Sequence, residues 1–310
     1  MQITTKEAAS WLRENNDYLI ITHIRPDGDT MGSGAALCYA LNKIGKQAYL
    51  YPNPQFGDGQ SWITEPYLAP EGYTPAHFIS VDMASESMYP TGFQGKIELC
   101  FDHHPSNSFF AEKTVLEPEK ASCGEIILSV VKELCELDST VADLLYTAVS
   151  TDTGCFVYGN TKADTHRAAA ELCDAGAANT YLNKLLFRTS SAARLRLEGL
   201  VYNSLSFYHH GSTVIAIVTK EMERQAGVSE KDCNDLAALP GKVEGAATSI
   251  LIRENGGGSC KVSVRTNGII NASDLCSRFG GGGHAMAAGC SINADCNEAA
   301  RMLLSALDEA

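Results

Sequence analysis

The first 190 residues alternate short apolar runs with segments in which apolar residues recur at helical spacing. This alternation predicts a mostly parallel β-sheet flanked by helices, which is an α/β domain. The apolar runs predict the strands, and the segments with helical spacing predict the helices. The strands cover residues 18–22, 47–51, 77–81 and 97–101, and the longer helices cover residues 30–44, 122–137 and 140–150.

From about residue 200 the pattern changes to β-type runs separated by small and polar residues. Glycines and polar residues at 209–212 and 255–258 predict two hairpins, because such residues between alternating runs form tight turns. The polar and basic stretch 187–200 predicts a linker that runs into a connecting helix. The expected organisation is an α/β domain over 1–186, the linker 187–200, and a smaller α+β domain over 201–310.

Composition agrees with a folded two-domain chain, since 45% of the 310 residues are hydrophobic and 20% are charged. No run approaches the roughly 18 to 20 apolar residues of a membrane helix, and the N-terminus lacks the apolar core of a signal peptide. We therefore expect a cytoplasmic protein with no membrane partner. The eleven scattered cysteines form no CxxC pair, which predicts mostly buried, reduced thiols.

The charge balance narrows the range of partners. The chain has 24 basic and 37 acidic residues, for a net charge of −13. This charge repels the long phosphate backbone of duplex nucleic acid and disfavours it as a partner. A small anionic ligand stays open, because a few local cations or bound metal ions can outweigh the global field at one site.

Acidic and imidazole side chains follow the apolar runs of the first domain. They are His23, Asp27, Asp29, Asp82, Asp102, His103, His104 and Asp152. Taken alone, the Pro-Asp-Gly-Asp stretch that ends at Asp29 is ordinary turn chemistry, because proline presets φ and aspartate bonds its own backbone. Acidic or imidazole residues at the ends of four separate chain segments, however, predict one cluster at the carboxyl edge of the sheet.

Such a cluster needs neutralising charge. Neighbouring carboxylates repel by roughly 4 kcal/mol per pair at an effective dielectric of about 20, so protons or divalent cations must compensate them. Carboxylates with imidazoles and without cysteines favour Mn²⁺ or Mg²⁺, and the imidazoles favour Mn²⁺. Six or seven ligands suit two ions about 3.5 to 4 Å apart that share a bridging carboxylate, the arrangement used in phosphoryl hydrolysis.

In order and spacing these segments resemble the four motifs of the DHH phosphoesterases. The segments are His23-Ile-Arg-Pro-Asp27-Gly-Asp29, Asp82, Asp102-His103-His104 and Asp152. The resemblance implies two Mn²⁺ ions, with Mg²⁺ as a weaker substitute. It assigns one ion to His23, Asp27 and Asp82, and the other to Asp29, Asp82, His103 and Asp152. It also implies that His104 lies near the scissile phosphate as a proton donor or charge stabiliser, and that Asp102 orients its neighbours.

The second domain carries a further resemblance. Val264-Arg265-Thr266 and the glycine run 280–283 with His284, followed by Ala287-Ala288-Gly289, resemble the DHHA1 substrate domain. The resemblance implies that the non-scissile phosphate is held by Arg265, His284 and the backbone of Gly281, Gly282 and Gly283. Two other interpretations stay open: glycines also occur where two backbones cross closely, and Arg265 also fits a solvated strand face.

A compact two-domain chain is similar to the nanoRNase and pAp phosphatase branch of this family. The resemblance implies a two-metal phosphohydrolase that acts on very short oligonucleotides, linear dinucleotides or 3′-phosphoadenosine 5′-phosphate. A pyrophosphatase or polyphosphatase is one alternative, although it would need a more cationic second domain. A non-catalytic nucleotide-binding module is another, although it should have lost metal ligands. The oligomeric state stays open, with a homodimer as one form.

Overall fold

The computed structural model describes residues 1–57, 61–228, 233 and 236–309. The chain forms two compact units, Met1–Thr189 and Ser190–Ala310. The division between them falls inside the stretch 187–200, where the sequence predicts a linker.

The first unit is built on a five-stranded sheet. Its strands are β1 (Tyr18–Ile21), β2 (Ala48–Leu50), β3 (His77–Val81), β4 (Leu99–Asp102) and β5 (Lys113–Leu116). The strand order is β2-β1-β3-β4-β5, and every neighbouring pair is parallel. The predicted parallel sheet is confirmed, and β5 is an edge strand that the apolar pattern did not predict.

Helices flank this sheet. They are α1 (Thr5–Glu14), α2 (Gly28–Lys43), α3 (Ser61–Thr64), α4 (Cys123–Leu134), α5 (Ser139–Asp152), α6 (Ala163–Asp174) and α7 (Asn179–Phe187). Helix α2 is buried along most of its length and approaches α5 closely at Gly32. A Cβ atom on Gly32 would lie 2.5 Å from the backbone oxygen of Leu144, so only glycine fits at this crossing.

The second unit is a smaller α+β structure, as predicted. Its helices are α8 (Ala192–Asn203), α9 (Lys220–Ala226), α10 (Ala272–Ser277) and α11 (Cys296–Asp308). Its strands are β6 (Ser206–Tyr208), β7 (Thr213–Val218), β8 (Thr248–Gly256), β9 (Ser259–Thr266), β10 (Gly282–His284) and β11 (Ala287–Ile292). They form one sheet in the order β10-β11-β9-β8-β7-β6, in which only β7 and β8 pair in parallel among the described residues. The pairs β6–β7 and β8–β9 are the two predicted hairpins.

Two expectations drawn from composition can be compared with the structure. All eleven cysteines are free, and eight of them are buried, which confirms the interpretation as mostly buried thiols. Among the residues that the structure describes, no helix is both long enough and apolar enough to cross a membrane.

Candidate metal centre

The strand order places a topological switch point between β1 and β3. The chain leaves β1 towards β2 on one side, and its next strand, β3, pairs with β1 on the other side. In open α/β sheets this crevice, at the carboxyl ends of the strands, is where ligands bind. His23 follows β1 and Asp82 follows β3, so both residues are delivered to the crevice by the sheet itself.

Asp82 lies at the centre of the cluster. Its Oδ2 is 3.4 Å from Nε2 of His23, and its Oδ1 is 3.4 Å from Nε2 of His103. The carboxylate is 3% exposed, and Oδ1 is buried without a hydrogen-bond partner. A buried oxygen without a partner is costly unless something else compensates it, and a cation between the two histidines would do so.

Three groups of potential metal ligands occur among the described residues, and within each group the ligand atoms lie within 4.8 Å of one another. Two of these groups contain the six proposed ligands; they are His23, Asp27 and Asp82, and Asp29, His103 and Asp152. The third group, Asp82, His103 and His104, joins Asp82 to the second group. The structure thus brings together all six residues proposed as ligands, with Asp82 facing both groups. This donor set of carboxylates and imidazoles fits divalent ions such as Mn²⁺.

Asp27 and Asp29 are fixed by helix termini. Asp27 is the N-cap of α2, and its Oδ1 accepts hydrogen bonds from the backbone N–H groups of Asp29 (3.0 Å) and Thr30 (3.1 Å). Its other oxygen, Oδ2, is 3.7 Å from Nε2 of His23. Asp29 accepts from the N–H groups of Cys123 (2.7 Å) and Gly124 (2.9 Å) at the start of α4. These helix ends therefore set the positions of both carboxylates.

His103 and His104 are oriented through their Nδ1 atoms. Nδ1 of His103 lies 3.3 Å from the backbone oxygen of Lys120, which directs Nε2 towards Asp82, Asp29 and Asp152. Nδ1 of His104 lies 2.7 Å from Oδ1 of Asp102. Because Nδ1 donates in both contacts, Nε2 of each ring is left for a metal ion or a substrate.

Asp102 belongs to none of the ligand groups in the described residues. It is fully buried and accepts from the His104 ring, from the backbone N–H of His103 (3.0 Å), and from Nδ2 of Asn107 (2.6 Å). Asp102 is thus in position to orient the His104 ring, and this role stays a prediction. Asn107 completes the same network, and the sequence analysis did not identify it.

The charges of the cluster shift its pKa values. Burial raises the pKa of Asp29, and the neighbouring Asp82 and Asp152 raise it further. Burial also raises the pKa of Asp152, to about 6. Burial lowers the pKa of His23 and of His103, but the adjacent carboxylates raise it more. The pKa of His23 is therefore raised to about 9 and that of His103 to about 10. The acidic cluster therefore attracts cations strongly, and divalent ions would compete with protons for the imidazoles.

In the second unit, Arg265 and His284 lie in one row across the sheet. Arg265 on β9 is opposite Ala287 on β11, which in turn is opposite His284 on β10. Directly paired residues project from the same face, so the arginine and histidine flank a small alanine. The two polar side chains therefore stand on either side of a small residue.

The glycine run of the second unit has two kinds of member. A Cβ on Gly281 would lie 2.3 Å from the backbone oxygen of Gly289, and one on Gly283 would lie 2.6 Å from that of Ala287. These two glycines are required because backbones cross closely. Gly282 has open space around its Cβ position, and β10 lies at the edge of the sheet in the described residues.

Comparison with known proteins agrees with both units. The model of the DHH family N-terminal domain matches residues 17–149, and the DHHA1 domain model matches residues 211–310. The chain is 32% identical over 299 residues to the bifunctional oligoribonuclease and PAP phosphatase NrnA of Thermus thermophilus, covering 94% of this chain and 89% of that protein. This chain belongs to the DHH family of phosphoesterases.

Two solved structures share the fold. An exopolyphosphatase-related protein from Bacteroides fragilis matches with a TM-score of 0.85 at 23% identity, covering 98% of this chain and 95% of that one. The exonuclease RecJ bound to manganese matches with a TM-score of 0.54 at 15% identity, covering 98% and 94%. As a DHH phosphoesterase with a DHHA1 domain, the protein is a metal-dependent hydrolase of the phosphodiesterase or phosphatase type, which confirms the expected family and enzyme class.

One further residue of this DHH phosphoesterase supports a proposed ligand. Nδ2 of Asn160 donates to the backbone oxygens of Ala121 (3.0 Å) and Asp152 (3.1 Å), and lies 3.5 Å from Oδ2 of Asp152. Asn160 thereby holds the end of α5 next to the segment before α4. The sequence offered no signal for this contact, because asparagine in a Gly-Asn-Thr turn is common and its partner is 39 residues away.

Proposed function

We propose that this DHH phosphoesterase uses two Mn²⁺ ions to hydrolyse very short oligonucleotides, including linear dinucleotides, or to remove a phosphate from 3′-phosphoadenosine 5′-phosphate. The proposal of two metal ions rests on the Asp82 carboxylate, because one of its oxygens faces His23 and the other faces His103. The substrate part is supported by the relative from Thermus thermophilus, which is named for both activities.

The metal ions would be held by the two ligand groups that meet at Asp82. When bound, they would polarise the phosphate as Lewis acids and lower the pKa of the attacking water. Mn²⁺ is favoured over Mg²⁺ because each group contains an imidazole, and Mg²⁺ prefers oxygen ligands. The manganese-bound RecJ structure shows that the same fold accommodates this ion in another protein.

His104 is the proposed proton donor. Its ring is held through Nδ1 by the buried Asp102 and lines the cavity that also contains Asp82. The hydrogen bond with Asp102 raises the pKa of His104, against the effect of burial. Nε2 can therefore carry a proton for the leaving oxygen and stabilise the negative charge that develops there.

The second unit is proposed to bind the substrate phosphate that does not react. Arg265 and His284 offer charged and polar groups on one face of the sheet, and β10 offers backbone N–H groups at its edge. This unit contains more acidic than basic residues, which disfavours a bare polyphosphate chain and suits a nucleotide that carries few charges.

The test is a substrate panel assayed with chelator-treated enzyme to which Mn²⁺ or Mg²⁺ is returned. The panel contains linear dinucleotides, cyclic dinucleotides, 3′-phosphoadenosine 5′-phosphate, pyrophosphate and polyphosphate. We expect the highest kcat/KM on the dinucleotides or on the bisphosphate, and higher rates with Mn²⁺ than with Mg²⁺. Fastest hydrolysis of pyrophosphate or polyphosphate would overturn the substrate assignment, and a higher rate with Mg²⁺ would overturn the choice of metal.

A further inference from the structure

A cavity of about 570 Å³ opens over the proposed metal ligands in the first unit. The residues that line it include four of the ligands, together with His104 and Arg25. Among the described residues of this lining, Arg25 is the only lysine or arginine. The family resemblance assigns no role to it, although it lies between two of the ligands, His23 and Asp27, in the sequence.

The guanidinium of Arg25 is not engaged by the surrounding acids. The cavity lining contains the carboxylates of Asp27, Asp82 and Asp152, yet within the described part of the chain none of them lies within 4.0 Å of the Arg25 guanidinium. Arg25 is also exposed. Its charge is permanent, because arginine stays protonated in proteins, and it therefore remains available to an anionic ligand.

The backbone around Arg25 is held in place from both sides. Nδ2 of Asn53 donates to the backbone oxygen of His23 (2.9 Å), and the backbone N–H of Ile24 donates to the oxygen of Met88 (2.8 Å). Pro26 fixes its own φ, and Asp27 caps α2 immediately afterwards. The side chain of Arg25 therefore starts from a defined position at the cavity wall.

We propose that Arg25 is a catalytic residue that binds a non-bridging oxygen of the reacting phosphate. This inference rests on the proposed function, because it concerns the phosphate ester hydrolysed at the same cavity. The guanidinium fork matches the geometry of phosphate oxygens and can make two parallel hydrogen bonds to them. Since Arg25 leaves the same loop as His23 and Asp27, it serves the phosphate at these ligands, whereas Arg265 serves a phosphate that does not react.

The two assignments predict different substrate dependence. Bis(p-nitrophenyl) phosphate contains the reacting phosphate alone, whereas a 5′-phosphorylated dinucleotide carries a second phosphate. We expect Arg25→Ala to lower kcat/KM for both substrates by about 10- to 100-fold, the range for a hydrogen bond to a charged group. Arg25→Lys should recover part of this loss, because it restores the charge without the fork.

The matched control is Arg224→Ala, which removes an exposed arginine that pairs with Glu221 in the second unit. We expect this variant to keep wild-type rates on both substrates. The proposal is overturned if Arg25→Ala stays within twofold of wild type on both substrates. It is also overturned if the loss is confined to the dinucleotide, since Arg25 would then bind a non-reacting phosphate.

Two binding measurements separate this role from metal binding and from the proposed function. Titration calorimetry with Mn²⁺ alone should give the same affinity for Arg25→Ala and wild type, and a weakened affinity would overturn the proposal. Titration of the Mn²⁺-loaded proteins with inorganic phosphate should show at least tenfold weaker binding for Arg25→Ala, and equal affinity would overturn the proposal. This second titration remains decisive even if the wild-type enzyme hydrolyses no nucleotide, an outcome that would refute only the proposed function.

Discussion

At the scale of single residues, Asp82 shows how a proposed metal ligand can be held under backbone strain. Its φ of +56° lies in the left-handed region, which costs a non-glycine residue roughly 1 to 2 kcal/mol. The backbone N–H of Asp82 donates to the oxygen of Phe101 (2.8 Å), which ties the residue to the end of β4. The neighbouring strand therefore maintains the conformation that directs the carboxylate into the cluster.

Replacing Asp82 with asparagine tests the shared carboxylate. Asparagine tolerates the left-handed conformation and has nearly the same shape, so the change removes mainly the charge. We expect kcat/KM to fall on the order of 10²-fold or more for both a dinucleotide and bis(p-nitrophenyl) phosphate, because the proposed bridging carboxylate lies next to both His23 and His103. Steady-state kinetics, with circular dichroism as the check on folding, measure this.

The matched control for that change is Asp164→Asn. Asp164 is an exposed aspartate on α6 that pairs with Arg167, outside the ligand groups. We expect Asp164→Asn to keep kcat/KM near that of wild type for both the dinucleotide and bis(p-nitrophenyl) phosphate. Normal turnover in a folded Asp82→Asn protein would remove the two-metal arrangement from consideration.

At the scale of elements, the close crossing of α2 and α5 connects two proposed ligands. Asp29 lies in the first turn of α2, and Asp152 is the last residue of α5. Gly32 allows these helices to approach until backbone contacts form with Leu144. The separation of the two carboxylates therefore depends on a glycine that is not a ligand itself.

Gly32→Ala should destabilise the protein by about 1 to 3 kcal/mol, because the added methyl group meets backbone atoms that cannot move aside easily. Gly199→Ala is the control, since a Cβ at Gly199 in α8 has no heavy atom within 4 Å. That change should stabilise the protein by about 0.4 to 1 kcal/mol through the unfolded state. Urea denaturation of the two metal-free variants measures both effects, and equal stabilities would contradict the close crossing.

The elements also show what the sequence could and could not predict. Strand-end residues such as His23 and Asp82 were recognisable because each follows a short apolar run directly. β5 was missed because its four residues form an edge strand with only two buried members, Thr114 and Val115. The anchoring of Asp29 by α4 was also missed, because it joins atoms 94 and 95 residues apart and depends on the finished packing.

At the scale of the whole molecule, net charge and domain composition bear on the proposed substrates. The net charge of −13 opposes long anionic strands, whereas Arg25, Arg265 and the proposed metal ions would attract short ones. The two units are proposed to contribute different chemistry, since the ligand groups found in the described residues all lie in the first unit. Substitutions in each unit test this proposal separately.

Arg265 and His284 should affect substrates according to the number of phosphates. We expect Arg265→Ala to lower kcat/KM for a 5′-phosphorylated dinucleotide by about ten- to a hundredfold, with His284→Ala in the same direction. Bis(p-nitrophenyl) phosphate has no second phosphate, so its hydrolysis should change little. His103→Ala is the contrast, because loss of a proposed metal ligand should depress both reactions. Equal losses on both substrates in Arg265→Ala would refute a role confined to the non-reacting phosphate.

Substrate length should matter through the same charge. We expect hydrolysis to be fastest for about two to five nucleotides and to fall steeply for longer strands, which meet repulsion without additional contacts. Added salt should narrow the difference by screening. Rates on a length series at low and at moderate ionic strength measure this, and equal rates on a dinucleotide and a strand of about thirty nucleotides at low salt would exclude the preference.

The anchoring of Asp29 has a consequence for observing the protein. The amide hydrogens of Cys123 and Gly124 point at this buried carboxylate, so their exchange with deuterated solvent requires the start of α4 to separate from it. An ion held by Asp29, as proposed, would make that separation rarer, and exchange at these two amides would slow as occupancy rises. Deuterium uptake at the two amides would then report metal loading without substrate or turnover.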